Sequence, residues 1–194
     1  MFPAFTRILL MMSWRYREDR ATQAAARLLH LRGGTMSYMK LIKLLYIADR
    51  RALARFGRPI TFDSLASMDL GPVLSNTLNL VKEEPDPFVF SYWAEHISAP
   101  SNYEVSLIGE NVPNDQLSPA EEALLDEVFE EFKHFTRWEL SKLTHEFAEY
   151  QYPNGSALPI SVRKVLLAQG VSEEDANAIV QDLSAAAYLE QMAG

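Results

Sequence analysis

The 194-residue sequence contains no cysteine. Disulfide bonds, thiolate catalysis and cysteine-ligated zinc sites are therefore excluded, and the composition fits a reducing compartment, so we expect a cytoplasmic protein. The sequence also lacks a long apolar run. The longest runs, such as Ile8 to Met12, are far shorter than the roughly 18 residues that a membrane-spanning helix needs. We expect no association with a membrane.

Motifs of common enzyme classes are missing as well. Neither a GxSxG nucleophile elbow nor a GxxxxGK phosphate-binding loop occurs. The segment His145–Glu149 reads HEFAE and resembles the zinc-protease motif HExxH, but Glu149 stands where the second histidine ligand belongs. We interpret this segment as an ordinary helix end. The sequence predicts a protein that is not an enzyme and needs no cofactor or metal.

The first residues, MFPAFTRILLMMSWRYRED, carry an apolar stretch. They lack the basic leader and the small-residue cleavage site of a signal peptide, so we do not interpret them as one. One alternative is that Met11 or Met12 is the natural start. In that case residues 1–12 are a loose N-terminal arm or an extension that precedes the domain.

The net charge of −8 conceals a division of charge along the chain. Residues 1–58 hold 12 Lys and Arg against three acids, whereas residues 59–194 hold six bases against 23 acids. One interpretation is internal complementarity, with basic helices lying beside acidic ones. The other is that a charged face serves a partner. The acidic total argues against nucleic acid as a partner.

Helix signals dominate the chain, which we treat as a single domain, 1–194. The alanine-rich segment Asp19 to Leu31 ends near Gly33, and a second helix extends from Ser37 to Gly57. A helix that is apolar over most of its girth belongs in the centre of a core. The second helix has this character, with buried positions predicted at Leu41, Leu44, Leu45, Ala48 and Ala52.

The remaining segments predict more helices and one β element. The sequence DLGPV at Asp69–Val73 is interpreted as a tight turn into a helix of about Val73 to Glu83. β-Branched and aromatic residues from Phe88 to Ile108, interrupted by the turn SAPSN, predict an antiparallel β-hairpin. Capping residues at Ser118, Thr136 and Ser172 predict later helices, with a helical pair over 158–194. The fold class is therefore mainly α (α+β): a compact helical domain around one central apolar helix, with a small antiparallel β-hairpin.

Two groups of residues are candidates for binding a partner. Trp, Tyr and Arg are favoured at binding hot spots. Within the predicted hairpin, Tyr92 and Trp93 point to opposite faces at strand spacing, and Tyr103 lies beside them. The second group is the late part of the central helix, which carries Arg50, Arg51 and Arg55. These arginines require acidic neighbours, supplied either by residues 59–194 or by the partner.

Four short motifs in order resemble the Panacea domain, the SocA-like family. They are KLLYIAD from Lys43 to Asp49, GRP from Gly57 to Pro59, Ala66 followed by Gly71-Pro72-Val73, and LSKLTH from Leu140 to His145. The resemblance covers about Ser37 to Tyr150. It implies a mainly helical domain of bacterial and prophage toxin–antitoxin pairs that has no established catalytic residues.

The resemblance also implies the function. Panacea domains act as antitoxins that neutralise toxins by direct contact, so we expect a cognate protein toxin as the partner. The SocA-like branch suggests an alternative, a proteolytic adaptor that delivers a toxin to a cellular protease. A third hypothesis, a DNA-binding autoregulator that uses the basic N-terminal part, has no helix-turn-helix spacing in its favour.

Overall fold

The computed structural model describes residues 15–83, 86, 88–109 and 112–193. The predicted N-terminal arm, residues 1–12, lies outside the described residues. The described part contains eight helices: α1 Glu18–Arg32, α2 Tyr38–Phe56, α3 Ser75–Lys82, α4 Tyr92–His96, α5 Pro119–Phe132, α6 Arg137–His145, α7 Val162–Ala168 and α8 Glu173–Ala193. Its strands are β1 Thr35–Ser37, β2 Leu65–Met68, β3 Gly71–Leu74, β4 Glu104–Ser106 and β5 Leu158–Pro159.

Helix α2 is the centre of the molecule, as its apolar pattern predicts. It contacts α1, α5, α6, α7 and strand β3. Every residue of the predicted stripe is buried, namely Leu41, Leu44, Leu45, Ala48 and Ala52. A helix surrounded on most sides must be apolar around most of its circumference, which is the pattern of its first half. The mainly α (α+β) architecture around one central helix is therefore confirmed.

Local signals locate the helix ends well. Gly33 and Gly57 follow α1 and α2 with φ of 95° and 69°, in the left-handed conformation that glycine adopts without strain. The predicted capping boxes at Ser118 and Thr136 are both present at the starts of α5 and α6. Ser172 accepts a hydrogen bond from the Asp175 backbone N–H at the start of α8.

Two small antiparallel sheets complete the fold. Strands β3, β2 and β5 form one sheet in that order, and β1 pairs with β4 in the other. The prediction that a helix begins at Val73 was wrong by two residues. Gly71 to Leu74 instead pair with β2 as the second arm of a hairpin that turns at Asp69–Leu70, and α3 begins at Ser75.

The first half of the predicted hairpin at Phe88–Ile108 is not a strand. Tyr92–His96 form helix α4, because the Ser91 side chain caps it and the Glu18 carboxylate accepts hydrogen bonds from the Ser91 hydroxyl and the Trp93 N–H. The second half keeps some of the predicted character. Ile97 forms an isolated bridge with Leu107, while Glu104–Ser106 pair with β1.

None of the described helices is long and apolar enough to cross a membrane.

Candidate functional site

The tip of the β2–β3 hairpin is held by polar side chains from α2, α6 and the segment that follows α6. Four of them, called here the hairpin clamp, hydrogen-bond to backbone carbonyls of this tip: Lys43 to Pro72 (2.7 Å), Ser141 to Leu70 (2.9 Å), His145 to Asp69 (3.0 Å) and Tyr150 to Met68 (3.2 Å). Because the bonds go to carbonyls and not to side chains, they position the tip whatever side chains it presents.

The backbone of Gly71 lies very close to the side chains of Thr144 and Lys43. Its φ is 94°, and a Cβ atom there would lie 2.7 Å from Thr144 Oγ1 and 3.0 Å from Lys43 Nζ. Both the backbone conformation and the lack of space therefore require glycine. Lys43 is only 1% exposed, and its burial lowers the pKa of the ammonium group to about 7.

A buried carboxylate, that of Asp49, fixes the chain just after α2. Asp49 is fully buried and accepts hydrogen bonds from the backbone N–H groups of Ile60 and Thr61 and from the Thr61 hydroxyl. Burial raises the pKa of Asp49 to about 7, and the hydrogen bonds from Thr61 and Ile60 oppose that rise. The motifs that carry the family resemblance thus supply Lys43, Asp49 and Gly71 as structural parts.

The basic end of α2 is satisfied within the chain, which confirms the interpretation of internal complementarity. Its three arginines and Arg58, which follows the helix, pair with carboxylates of the acidic later part: Arg50 with Glu149 (2.7 Å), Arg51 with Glu131 (2.8 Å), Arg55 with Glu127 (2.9 Å) and Arg58 with Glu121 (2.8 Å). Further along the same interface, Arg20 pairs with Glu121 and Arg27 with Asp126. The charge division along the sequence is therefore an interface between helices.

The three aromatic candidates separate in space. Trp93 is only 3% exposed and belongs to the core. Tyr92 is half-buried, with its ring 4.6 Å from the His96 ring and its hydroxyl accepting a hydrogen bond from the Gln23 side chain. Only Tyr103, which is 64% exposed, presents most of its ring at the surface.

Tyr103 belongs to an exposed cluster whose other members the sequence interpretation missed. The guanidinium carbon of Arg137 lies 5.3 Å from the Tyr103 ring centroid and 5.2 Å from that of Trp138. Trp138 is 56% exposed, and the Tyr38 ring lies 6.4 Å from the Tyr103 ring. We call Tyr38, Tyr103, Arg137 and Trp138 the Arg137 cluster. A guanidinium that stacks on rings keeps its N–H edge for a carboxylate or carbonyl.

Arg137 differs from the arginines of α2 in its charge environment. It forms no ion pair with any carboxylate in the described part of the chain. The signal that could have found it is the capping box at Thr136. This box fixes the start of α6 and leaves Arg137 and Trp138 in its exposed first turn.

A groove of about 340 Å³ lies between the clamped hairpin tip and the helices α2 and α3. We call it the hairpin groove. Its walls are mainly apolar and are formed by Tyr38, Met39, Ile42, Met68, Leu70, Val73 and Leu78, with Lys43, Asp69, Lys82, Gly155 and Ser156 completing the lining. Tyr38 belongs both to this groove and to the Arg137 cluster, so the two features adjoin.

The HEFAE segment has no metal-binding arrangement. His145 contacts the carbonyls of Asp69 and Ser141, whereas Glu149 accepts hydrogen bonds from Tyr46 and Arg50. Within the described residues there is no group of three or more His, Asp or Glu that could hold a metal ion.

Comparison with protein families gives one match. The model of a family described as "Antitoxin SocA-like, Panacea domain" matches residues 41–151, which is more than half of the chain. The matched segment includes the hairpin clamp, Tyr103 and the first turn of α6. Searches of curated proteins and of solved structures give no significant match.

Proposed function

The chain belongs to the SocA-like Panacea domain family of antitoxins, and we propose that it neutralises one cognate protein toxin by direct binding in the cytoplasm of a bacterium or prophage host. Family membership supports an antitoxin role and a toxin partner in general. The exposed Arg137 cluster favours neutralisation by direct contact, without catalysis.

The observation that carries this proposal is the Arg137 cluster. Binding hot spots are enriched in Trp, Tyr and Arg. Here Tyr103 and Trp138 are more than half exposed, and both rings lie within about 5.3 Å of a guanidinium that has no ion pair among the described residues. Large, stacked side chains lose little conformational entropy on binding, so the cluster is suited to anchor a partner.

The remaining candidates take other parts in the proposal. We assign Arg50, Arg51 and Arg55 to the stability of α2, because each has a carboxylate partner within the chain. We assign Trp93 to the core, where it is 3% exposed, and Tyr92 to contacts within the chain, with Gln23 and His96. Tyr103 alone among the six candidates becomes a direct contact.

We place the DNA-binding hypothesis last, because arginines of α1 and α2 pair with carboxylates of α5 and with Glu149 beyond α6. The adaptor hypothesis has one observation in its favour. An adaptor needs a second surface for the protease, and α8 exposes the apolar side chains Tyr188, Leu189 and Met192. We keep protease delivery as the second candidate function, with α8 as its docking element.

Co-expression tests the proposal. The gene adjacent to this one is expressed alone and together with this chain, and growth is measured. We expect the adjacent product to arrest growth and this chain to restore it. In vitro, the purified chain should block the purified toxin at a one-to-one ratio with no protease present. Growth restored only in hosts with an active protease, despite normal binding in vitro, would favour the adaptor. A harmless neighbour would remove the basis of both.

A further inference from the structure

We propose that the hairpin groove is the binding site for an apolar–acidic segment of the toxin. This segment inserts one large apolar side chain between Leu70 and Met39 and directs a carboxylate to Lys82. The inference rests on the proposed function, because it names the toxin as the partner. It goes further by assigning a second contact site and the chemistry of the segment that fills it.

The groove is preformed by the hairpin clamp. Four side chains hold the carbonyls of Met68, Asp69, Leu70 and Pro72, and Gly71 between them has a φ of 94°. A wall that is ordered before binding loses little conformational freedom when a partner arrives. The hairpin clamp therefore orders the groove before binding, as stacking orders the side chains of the Arg137 cluster.

The walls match an apolar side chain. Leu70 is 47% exposed although its carbonyl is held by Ser141, so the clamp presents this leucine at the surface. Met39 and Met68 are half-buried in the same lining. Methionine side chains are flexible and polarizable, and they adapt to the shape of an inserted group.

The charge at the rim selects an acidic neighbour. Lys82 is exposed and has no ion pair with a described residue, and Arg137 beyond Tyr38 has none either. Asp69 is the one carboxylate of the groove lining. It accepts a hydrogen bond of 2.9 Å from the backbone N–H of Gly155 and so lies on that side of the groove. A segment with a carboxylate near Lys82 therefore gains electrostatic attraction at that end of the groove, away from the Asp69 carboxylate that binds the Gly155 N–H.

Continuity with the Arg137 cluster identifies the toxin as the occupant. Tyr38 contributes to both, and Trp138 lies one helical turn from Ser141, whose hydroxyl contacts the hairpin tip. A toxin anchored on the Arg137 cluster therefore lies next to the groove, because Tyr38 belongs to both. A second copy of this chain is the rival occupant that the experiment must separate.

The absence of natural cysteine makes a site-specific test possible. Leu70→Cys is labelled with benzophenone maleimide and irradiated with the purified product of the adjacent toxin gene. Leu189→Cys, on the exposed face of α8 at 67% exposure, is the matched control. We expect a crosslink to the toxin from position 70 and none from position 189. A crosslink from position 70 to another copy of this chain, or to nothing while the toxin is bound, overturns the inference.

Affinity measurements provide the second readout. Leu70→Asp and Lys82→Glu should each melt within about 2 °C of wild type, since both side chains are at the surface, and each should weaken toxin binding at least tenfold. Leu189→Asp should also melt close to wild type, but it should bind the toxin with unchanged affinity. If both groove variants bind the toxin with unchanged affinity and still restore growth, the groove is not the binding site, and the proposed antitoxin function stands. Failure of the wild-type chain to bind the toxin defeats both, and the two failures are therefore distinct.

Discussion

The ammonium group of Lys43 donates a hydrogen bond of 2.7 Å to the carbonyl oxygen of Pro72, 29 residues away. The lysine comes from the central helix and the carbonyl from the hairpin that forms one wall of the groove. A buried lysine with a carbonyl as its acceptor and no carboxylate at hand is costly to charge. The hydrogen bond from Lys43 nevertheless holds the hairpin against α2. The first two predictions concern this contact.

Replacing Gly71 with alanine should destabilise the protein by about 3 kcal/mol or more, because strain at positive φ adds to the collision with Thr144 and Lys43. Gly170→Ala is the matched control. It has a φ of 80° but no atom within 4 Å of the added Cβ, so it should cost only about 1–2 kcal/mol. Urea unfolding of both variants measures the difference. Equal losses would show that crowding at Gly71 has no energetic effect.

Replacing Lys43 with methionine should change how stability depends on pH. The pKa of Lys43 is about 7 in the folded chain and near 10.5 when exposed, so the unfolded chain binds more protons between these values. The free energy of unfolding of the wild type should therefore rise with pH from about 7 to 10, relative to Lys43→Met, by about 1 kcal/mol per pH unit. Urea midpoints from pH 6 to pH 9.5 test this. Parallel curves would contradict the low pKa.

Reversing two charges on α2 should weaken the fold and spare toxin binding. In Arg51→Glu with Arg55→Glu, the new carboxylates face Glu127 and Glu131, so we expect a loss of about 1–2 kcal/mol. Adding Glu127→Arg and Glu131→Arg should restore most of it. Melting curves and calorimetric titration with the toxin provide the readouts. A normal melt with lost binding in the double variant would instead make these arginines contacts.

Changes to the Arg137 cluster should have the opposite result. Arg137→Glu should weaken toxin binding at least tenfold, about 1.4 kcal/mol, and Trp138→Ala should weaken it by a similar amount. Both variants should melt close to wild type, because these side chains are on the surface. Lys164→Glu on α7, another exposed cation without an ion pair among the described residues, is the control and should bind normally. If the control weakens binding as much as Arg137→Glu, the effect is one of total charge.

The central position of α2 gives a simpler prediction. Leu44→Asp introduces a carboxylate at a site with no solvent exposure and should cost about 3 kcal/mol or more. Thermal melting measures it. A melting temperature within a degree or two of wild type would show that the centre of α2 tolerates a charge.

Local chemistry explains which parts of the fold the sequence could predict. The stripe of α2, the glycine stops after α1 and α2 and the capping boxes of α5 and α6 each depend on residues within one or two turns. The hairpin predicted at Phe88–Ile108 failed in its first half for the opposite reason. There, Glu18 accepts hydrogen bonds from Ser91 and Trp93 across more than 70 residues, and this contact overrides the β-propensity of the segment.

The candidate surface was only partly predictable for the same physical reason. The exposure of Tyr103 depends on the pairing of β4 with β1, and its stacking with Arg137 depends on where α6 begins. Nothing in the sequence near Tyr103 indicates either. For the arginines of α2, the sequence predicts acidic neighbours but leaves open whether they belong to residues 59–194 or to a partner; the structure pairs these arginines with Glu127, Glu131 and Glu149.

Several ion pairs and hydrogen bonds join residues that are far apart in the sequence, and this separation affects how the chain folds. The partners of Arg20 and Tyr46 are 101 and 103 residues further on, so the early helices cannot complete their contacts until residues near 150 have been synthesised. A fold with such distant contacts has a high contact order and folds more slowly than a bundle of sequential neighbours. Until then, α2 exposes an apolar stripe beside unpaired arginines. We therefore expect the newly made chain to be most vulnerable to aggregation and proteolysis before Glu149 has been synthesised.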